Sequence, residues 1–201
     1  MKNIHFIGDV HGKFERYFGV IQSLPEKSIS IQLGDFGLGF HPEIDQEYLS
    51  VNIGKNHKWI YGNHDNPRFR TNENCLGDYG IFQDIFYVSG AWSVWSVDQW
   101  HRTIGRSWWP EEEQSVSSLE NMLKFYSLVK PDFVCSHDSP FEVKKILIGE
   151  EPKDRTSNYL QMMLDIHRPK TWIFGHFHIT FNQTIKKTNF IGLGELEVLS
   201  I

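Results

Sequence analysis

Five short apolar runs that each end in a cluster of Gly, Asp, Asn or His constrain this chain more than any other feature. Ile4 to Ile7 leads into Gly8-Asp9-Val10-His11-Gly12, and Ser28 to Leu33 into Gly34-Asp35. Lys58 to Tyr61 leads into Gly62-Asn63-His64-Asp65, Asp132 to Cys135 into Ser136-His137-Asp138, and Thr171 to Phe174 into Gly175-His176-Phe177-His178. The runs have the length and composition of buried strands. Phe86 to Ser89 and Asn189 to Leu193 read as two more strands. Between the early strands lie stretches of helical period, Lys13 to Leu24, stopped by Pro25, and Pro42 to Ile53, ending against Gly54. Strand and helix in alternation predict an α/β fold with a mostly parallel sheet and helices outside it. In such sheets functional groups gather beyond the carboxyl ends of the strands, where all five clusters fall.

The later chain continues the helices. Pro110-Glu111-Glu112-Glu113 reads as a helix start running to about Val129, because Pro suits the first turn and acids complement the amino end of the dipole. A second helix is expected at Ser139-Pro140 with Ser139 as N-cap, and a third over Ser157 to His167. Five of the seven tryptophans, from Trp92 to Trp109, crowd into one stretch together with Arg102 and Arg106. That stretch, residues 91–113, is a candidate cap segment on an otherwise single domain of residues 1–201.

Composition excludes several classes. With 40% hydrophobic and 22% charged residues, the chain is neither disordered nor fibrous. The net charge is −5, with several of the carboxylates in the clusters, and no Lys/Arg run by itself announces a nucleic-acid face, although a metal pair attracts phosphates without one. No run approaches the roughly 18 apolar residues of a membrane span. Asp9 precedes any site where a signal peptide would be cleaved, and Cys75 and Cys135 lack CxxC spacing, so a cytoplasmic protein with free thiols is expected.

The clusters supply carboxylate, amide and imidazole groups. A metal needs several of these converging within about 2 to 2.5 Å, so paired ligands such as Asp9 and His11 belong on a turn flanked by glycine. Asp9-x-His11 alone is a weak signal, and His176-x-His178 is stronger. The conjunction carries the argument: five of the ten histidines stand at strand ends. Nitrogen and oxygen donors without thiolate suit manganese, iron, zinc or nickel. His5, His41, His57 and His167 read as surface or core imidazoles, and Arg68 as a weak phosphate contact.

In this order, D-x-H, G-D, G-N-H-D, a later His and G-H-x-H, the clusters resemble the calcineurin-like metallophosphoesterases from residue 8 to 178. Gly90-Ala91-Trp92 and Ser107-Trp108-Trp109-Pro110-Glu111 resemble a compact bacterial and phage subgroup of that family. The resemblance implies a four-layer α/β/β/α sandwich, two mixed sheets flanked by helices. It implies two divalent metal ions, with Mn²⁺ preferred. Asp9, His11 and His178 would hold one ion, Asn63, His137 and His176 the other, and Asp35 would bridge both. His64 would act on substrate or leaving group, its imidazolium supported by Asp65 or Asp35. The implied activity is hydrolysis of phosphodiesters, phosphomonoesters or both by direct attack of a metal-bridging hydroxide, on substrates that include nucleotides or nucleic acid.

The chain departs from the protein serine/threonine phosphatase branch after Asp35. Where that branch carries Asp-Arg-Gly, this chain reads Phe36-Gly37-Leu38-Gly39-Phe40. Arg102 and Arg106 are the candidates to grip phosphate in place of the missing Arg, because guanidinium binds it in a bidentate fork. The competing reading is a catalytically silent scaffold of the same fold, used for protein interaction. Such scaffolds lose ligands, and here every position is filled.

Overall fold

A computed structural model describes residues 3–39, 45–46, 48–49, 51–93, 103–149, 151 and 154–201. Its two sheets stack face to face. The first contains β1 (Ile4–Ile7), β2 (Ile29–Gln32) and β3 (His57–Trp59) in parallel, with β10 (Val198–Ser200) antiparallel on β1. In the second, β5 (Ile85–Val88), β6 (Phe133–Ser136), β7 (Thr171–Phe174) and β9 (Thr188–Gly192) run parallel. Its antiparallel edges are β4 (Tyr79–Phe82) beside β5 and β8 (Phe181–Ile185) beside β9.

Period-two alternation sorts the strand residues into layers. Ile4, Phe6, Ile29, Ile31 and Ile60 of the first sheet meet Ile85, Tyr87, Cys135 and Ile173 of the second, forming the core between sheets. The alternate residues of the second sheet, Phe86, Val88, Val134, Trp172 and Phe174, pack against three helices. These are α2 (Val116–Val129), α3 (Phe141–Ile148) and α4 (Arg155–Ile166), which contribute Leu119, Met122, Tyr126, Val143, Leu160 and Met163. On the other side, α1 (Phe14–Ser23) buries Phe14 and Tyr17 beside Ile7, Phe36, Trp59 and Tyr61. The order helix, sheet, sheet, helix is the α/β/β/α sandwich.

Several expected boundaries move. Pro110–Glu112 is a separate 3-10 turn, and α2 begins only at Val116, capped by Ser115, whose Oγ accepts from Ser118 N at 3.1 Å. The acids precede the helix, and the carboxylates of Glu112 and Glu113 are drawn to other partners. Glu112 accepts from Ser93, Glu113 from Thr156, and the Glu111 carbonyl from Arg70. Ser139 does not cap α3: its amide donates to Asp138 Oδ1 and its hydroxyl is buried without a partner, while Pro140 occupies the cap position. α4 starts two residues early because Asp154 Oδ1 accepts from Ser157 N at 2.7 Å. Of the helix expected over Pro42 to Ile53, Asp45, Gln46, Tyr48 and Leu49 are helical and Val51 to Ile53 are not. Its other positions lie outside the described residues.

Candidate metal centre

Five of the parallel strands deliver polar groups beyond their carboxyl ends: β1 to Asp9 and His11, β2 to Asp35, β3 to Asn63, β6 to His137, β7 to His176 and His178. Four of these residues, His11 (φ 49), Asp35 (φ 51), His176 (φ 70) and His178 (φ 54), hold left-handed backbone conformations. Non-glycine residues rarely adopt them, and a cluster of such positions marks a site where strain is tolerated for function. Two glycines let the loops close on one another. A Cβ on Gly62 would strike Asp35 Oδ1 and His137 Nε2, and one on Gly175 would strike Asp9 Oδ1.

The side chains converge into two groups that share one carboxylate. Asp9, His11, Asp35 and His178 place donor atoms within 4.8 Å of one another, and so do Asp35, His137 and His176. His11 Nε2 and His178 Nε2 face each other at 2.8 Å, and His178 Nε2 lies 3.1 Å from Asp9 Oδ2, off the line of a hydrogen bond. In the second group His137 Nε2 is 3.2 Å from Asp35 Oδ1 and 3.2 Å from Asn63 Oδ1. The amide oxygen thereby joins that cluster.

These residues fit a pair of divalent cations. Asp9 Oδ2 and His176 Nε2 are buried without hydrogen-bond partners, a costly condition that coordination would relieve. His137 donates Nδ1–H to the Leu33 carbonyl at 2.7 Å, which fixes the tautomer and aims the Nε2 lone pair at the cluster, as metal-binding imidazoles require. The donors are all nitrogen and oxygen, the set that suits manganese, iron, zinc or nickel.

Charges in the site are strongly coupled. Burial opposes ionisation of Asp35, yet the imidazoles of His137, His64 and His11 hold its carboxyl well below the usual range. Burial likewise disfavours charge on His137, but Asp35, aided by Asp9, outweighs it and takes the ring up to about 10. Burial, reinforced by His137 and Lys144, pushes His176 well below its ordinary value and leaves its ring neutral. The buried carboxylates therefore demand a compensating positive charge, which a proton on His137 or a bound cation provides.

Two braces hold the ligand loops. Asp65, itself buried, accepts from Gly37 N (2.7 Å), Gly62 N (2.8 Å) and Phe36 N (3.1 Å), tying the loop after β2 to the loop after β3. Its oxygens are thus committed to backbone amides, while Asp35 accepts the His64 backbone N–H at 2.7 Å. Behind His137, the fully buried Lys144 pairs with Asp138 at 2.7 Å and Asp154 at 2.9 Å.

The remaining expectations fall elsewhere. Half-buried His64 lies beside His11, ring centroids 5.1 Å apart. Arg106 is exposed on a tight turn closed by Arg106 N–H to the Thr103 carbonyl at 3.0 Å, and Arg102 lies outside the described residues. Arg68 is exposed over the Phe69 ring. His5 bonds Ser28 and Ser200, His57 bonds Ser30, and His167 bonds the Pro131 carbonyl, all as structural imidazoles. His41 lies outside the described residues. Sequence reasoning missed Glu195, 3.9 Å from His178 Nδ1 and paired with Lys13. Its signal was present, because Gly194-Glu195 follows the β9 run just as the other clusters follow theirs.

Among curated proteins none matches the chain. The phosphopantetheinyl hydrolase PptH of Mycobacterium tuberculosis superposes with a TM-score of 0.55 at 11% identity, over 96% of this chain and 90% of that one. A structure assigned to a 5′-nucleotidase of Staphylococcus aureus gives 0.53 at 16% identity, over 98% of this chain and 50% of that one, so this chain spans about half its length. At these identities the likeness shows the fold. The sequence model of the calcineurin-like phosphoesterases matches residues 2–180, and the chain belongs to that family.

Proposed function

We propose that the protein hydrolyses phosphate esters, diesters or monoesters or both, with two divalent metal ions, preferably Mn²⁺. The observation that carries this reading is the shared carboxylate: Asp35 belongs to both donor groups, the arrangement needed for two adjacent cations. Asp9, His11 and His178 hold one ion, Asn63, His137 and His176 the other, and Asp35 both. When bound, such a pair lowers the pKa of water and neutralises phosphoryl oxygens on the attacking and leaving sides. The whole of residues 1–201 acts as one domain in this reading, with segment 91–113 as its cap. Free Cys75 and Cys135 suit the cytoplasm, and among the described residues no helix is long and apolar enough to cross a membrane.

His64 donates a proton to the departing oxygen. Asp35, which accepts its backbone N–H, anchors the residue at the edge of the shared carboxylate. Arg102 and Arg106 contact the non-bridging phosphate oxygens in this reading, and the 5′-nucleotidase neighbour makes nucleotides the first substrates to assay.

The test is a panel of bis-p-nitrophenyl phosphate, p-nitrophenyl phosphate, nucleotides and RNA on Mn²⁺-loaded protein, with His64→Ala in parallel. His64→Ala should retain its metal and lose about 10²- to 10⁴-fold in turnover on alkyl leaving groups, and less on nitrophenolate, which departs without a proton. Equal losses on both would remove the acid role. No hydrolysis of any ester by wild-type protein would remove the proposed activity.

A further inference from the structure

Asn63 can coordinate only through its amide oxygen, and an amide is nearly symmetric in shape, so something must decide which end faces the metals. In this chain the deciding contacts come from the tryptophan- and glutamate-rich segment. Asn63 Nδ2 donates to Ser93 Oγ at 3.4 Å, and Ser93 Oγ–H donates to Glu112 Oε2 at 2.7 Å. Ser93 N–H donates to the other carboxylate oxygen, Glu112 Oε1, at 2.9 Å. Asn63, Ser93 and Glu112 are 3%, 3% and 2% exposed, so water competes little for these bonds.

We infer that Glu112, acting through Ser93, is a positioning residue that keeps the Asn63 amide oxygen turned toward the second metal. The direction of the relay follows from what each group can do. A carboxylate only accepts, so it takes both the Ser93 N–H and the Ser93 O–H. With its proton committed to Glu112, the hydroxyl presents lone pairs to Asn63 and can bond only the NH₂ end of the amide. The oxygen is left facing His137 Nε2, 3.2 Å away. The 3-10 turn Pro110–Glu112 is held for this purpose against the exit of β5, where Ala91 N–H donates to the Glu112 carbonyl at 3.3 Å. This inference rests on the binuclear reading above and assigns the acidic turn a task in it.

Glu112→Gln is close to isosteric but reverses the relay. If its NH₂ faces Ser93 Oγ, the hydroxyl must swing its proton toward Asn63 and selects the flipped amide. If its oxygen faces Oγ, its NH₂ opposes the Ser93 N–H. In the first case the Asn63 amide turns over, and in the second the opposed N–H donors push Ser93 away from Asn63, so Mn²⁺ should bind at the second site about 10- to 100-fold more weakly, the usual cost of losing a group that orients a metal ligand. Asn63→Asp changes the sign, because an aspartate oxygen beside Ser93 Oγ wants the hydroxyl proton that Glu112 takes. Glu112→Gln should therefore weaken Mn²⁺ binding in the Asn63 protein and strengthen it, or leave it unchanged, in Asn63→Asp.

The experiment is calorimetric Mn²⁺ titration of wild type, both single variants and the double variant, with melting temperatures measured without metal to identify a variant that has lost its fold. Ser93→Ala, which removes the relay without altering the turn, supplies the second test and should lower the same affinity. The sign reversal between backgrounds supports the inference, since general damage by Glu112→Gln would lower affinity in both. Unchanged second-site affinity in Ser93→Ala, or equal losses in the two backgrounds, overturns it. Wild type that binds fewer than two Mn²⁺ would instead overturn the binuclear reading itself.

Discussion

Replacing Asp35 by Asn is expected to weaken both metal sites at once and to lower turnover by at least about 10²- to 10³-fold, the loss typical of removing one preorganised charge-stabilising group. Asp35 is the residue common to both donor groups, with Oδ1 3.2 Å from His137 Nε2 and Oδ2 3.8 Å from His11 Nε2. Asn retains one acceptor but removes the negative charge, and its NH₂ must face either the His64 N–H, which Oδ1 now accepts at 2.7 Å, or the imidazoles. Asp35→Asn should therefore differ in kind from His176→Ala, which should empty only the second site. Parallel Mn²⁺ titrations of the two variants check this. Loss of a single ion from Asp35→Asn would mean that its carboxylate does not bridge.

The second large effect concerns folding. Lys144 is 1% exposed among Asp138 and Asp154, which are 0% and 4% exposed. Burial works against the charge on Lys144, but the two carboxylates outweigh it and raise its pKa. Asp138, despite that lysine, is pushed up to about 6 by burial. Lys144→Met would leave two carboxylates facing each other without a counter-charge, a situation that costs about 3 to 5 kcal/mol. For a chain of this size that corresponds to a fall of roughly 6 to 20 °C in melting temperature. Adding Asp138→Asn and Asp154→Asn to Lys144→Met should recover part of the loss, because it removes the charges that the lysine compensates. Equilibrium denaturation of the two variants measures both steps. A midpoint for Lys144→Met equal to that of the wild type would show that the triad contributes nothing. Because Asp138 follows His137 directly, the single variant should also bind Mn²⁺ more weakly at the second site.

The parts of the fold that were legible in sequence were those where one residue type has one physical use. Ile4–Ile7 and Thr171–Phe174 appear as strands at their expected limits, because a buried parallel strand leaves a run that is mostly apolar, broken here only by His5 and opened by Thr171. The ligand clusters were legible because glycine, aspartate and histidine at strand ends serve packing poorly. What escaped were β4 and β8, the hairpin partners of β5 and β9. Their turns place Gln83-Asp84 and Lys186-Lys187 at positive φ, where Asn-Gly or Asp-Gly would have given the signal. β10 escaped because its three residues form an edge strand set by pairing with β1.

The acidic stretch at residues 111–113 misled for a different reason. Acids after proline suit a helix start, but here tertiary partners, Ser93 for Glu112 and Thr156 for Glu113, take the carboxylates, and the helix waits for Ser115. Likewise nothing in the sequence placed Ser93 beside Asn63, since the contact spans thirty residues and depends on how β5 leaves its sheet. Local pattern therefore pointed to the candidate ligands, while the contacts around them became visible only in three dimensions.

The most direct measurement of the central claim is the metal content of hydrolytically active wild-type protein. Protein loaded with Mn²⁺, freed of excess metal and analysed for its elements should carry close to two ions per chain, as donor groups sharing Asp35 require. Active protein carrying one ion or none would contradict the binuclear account.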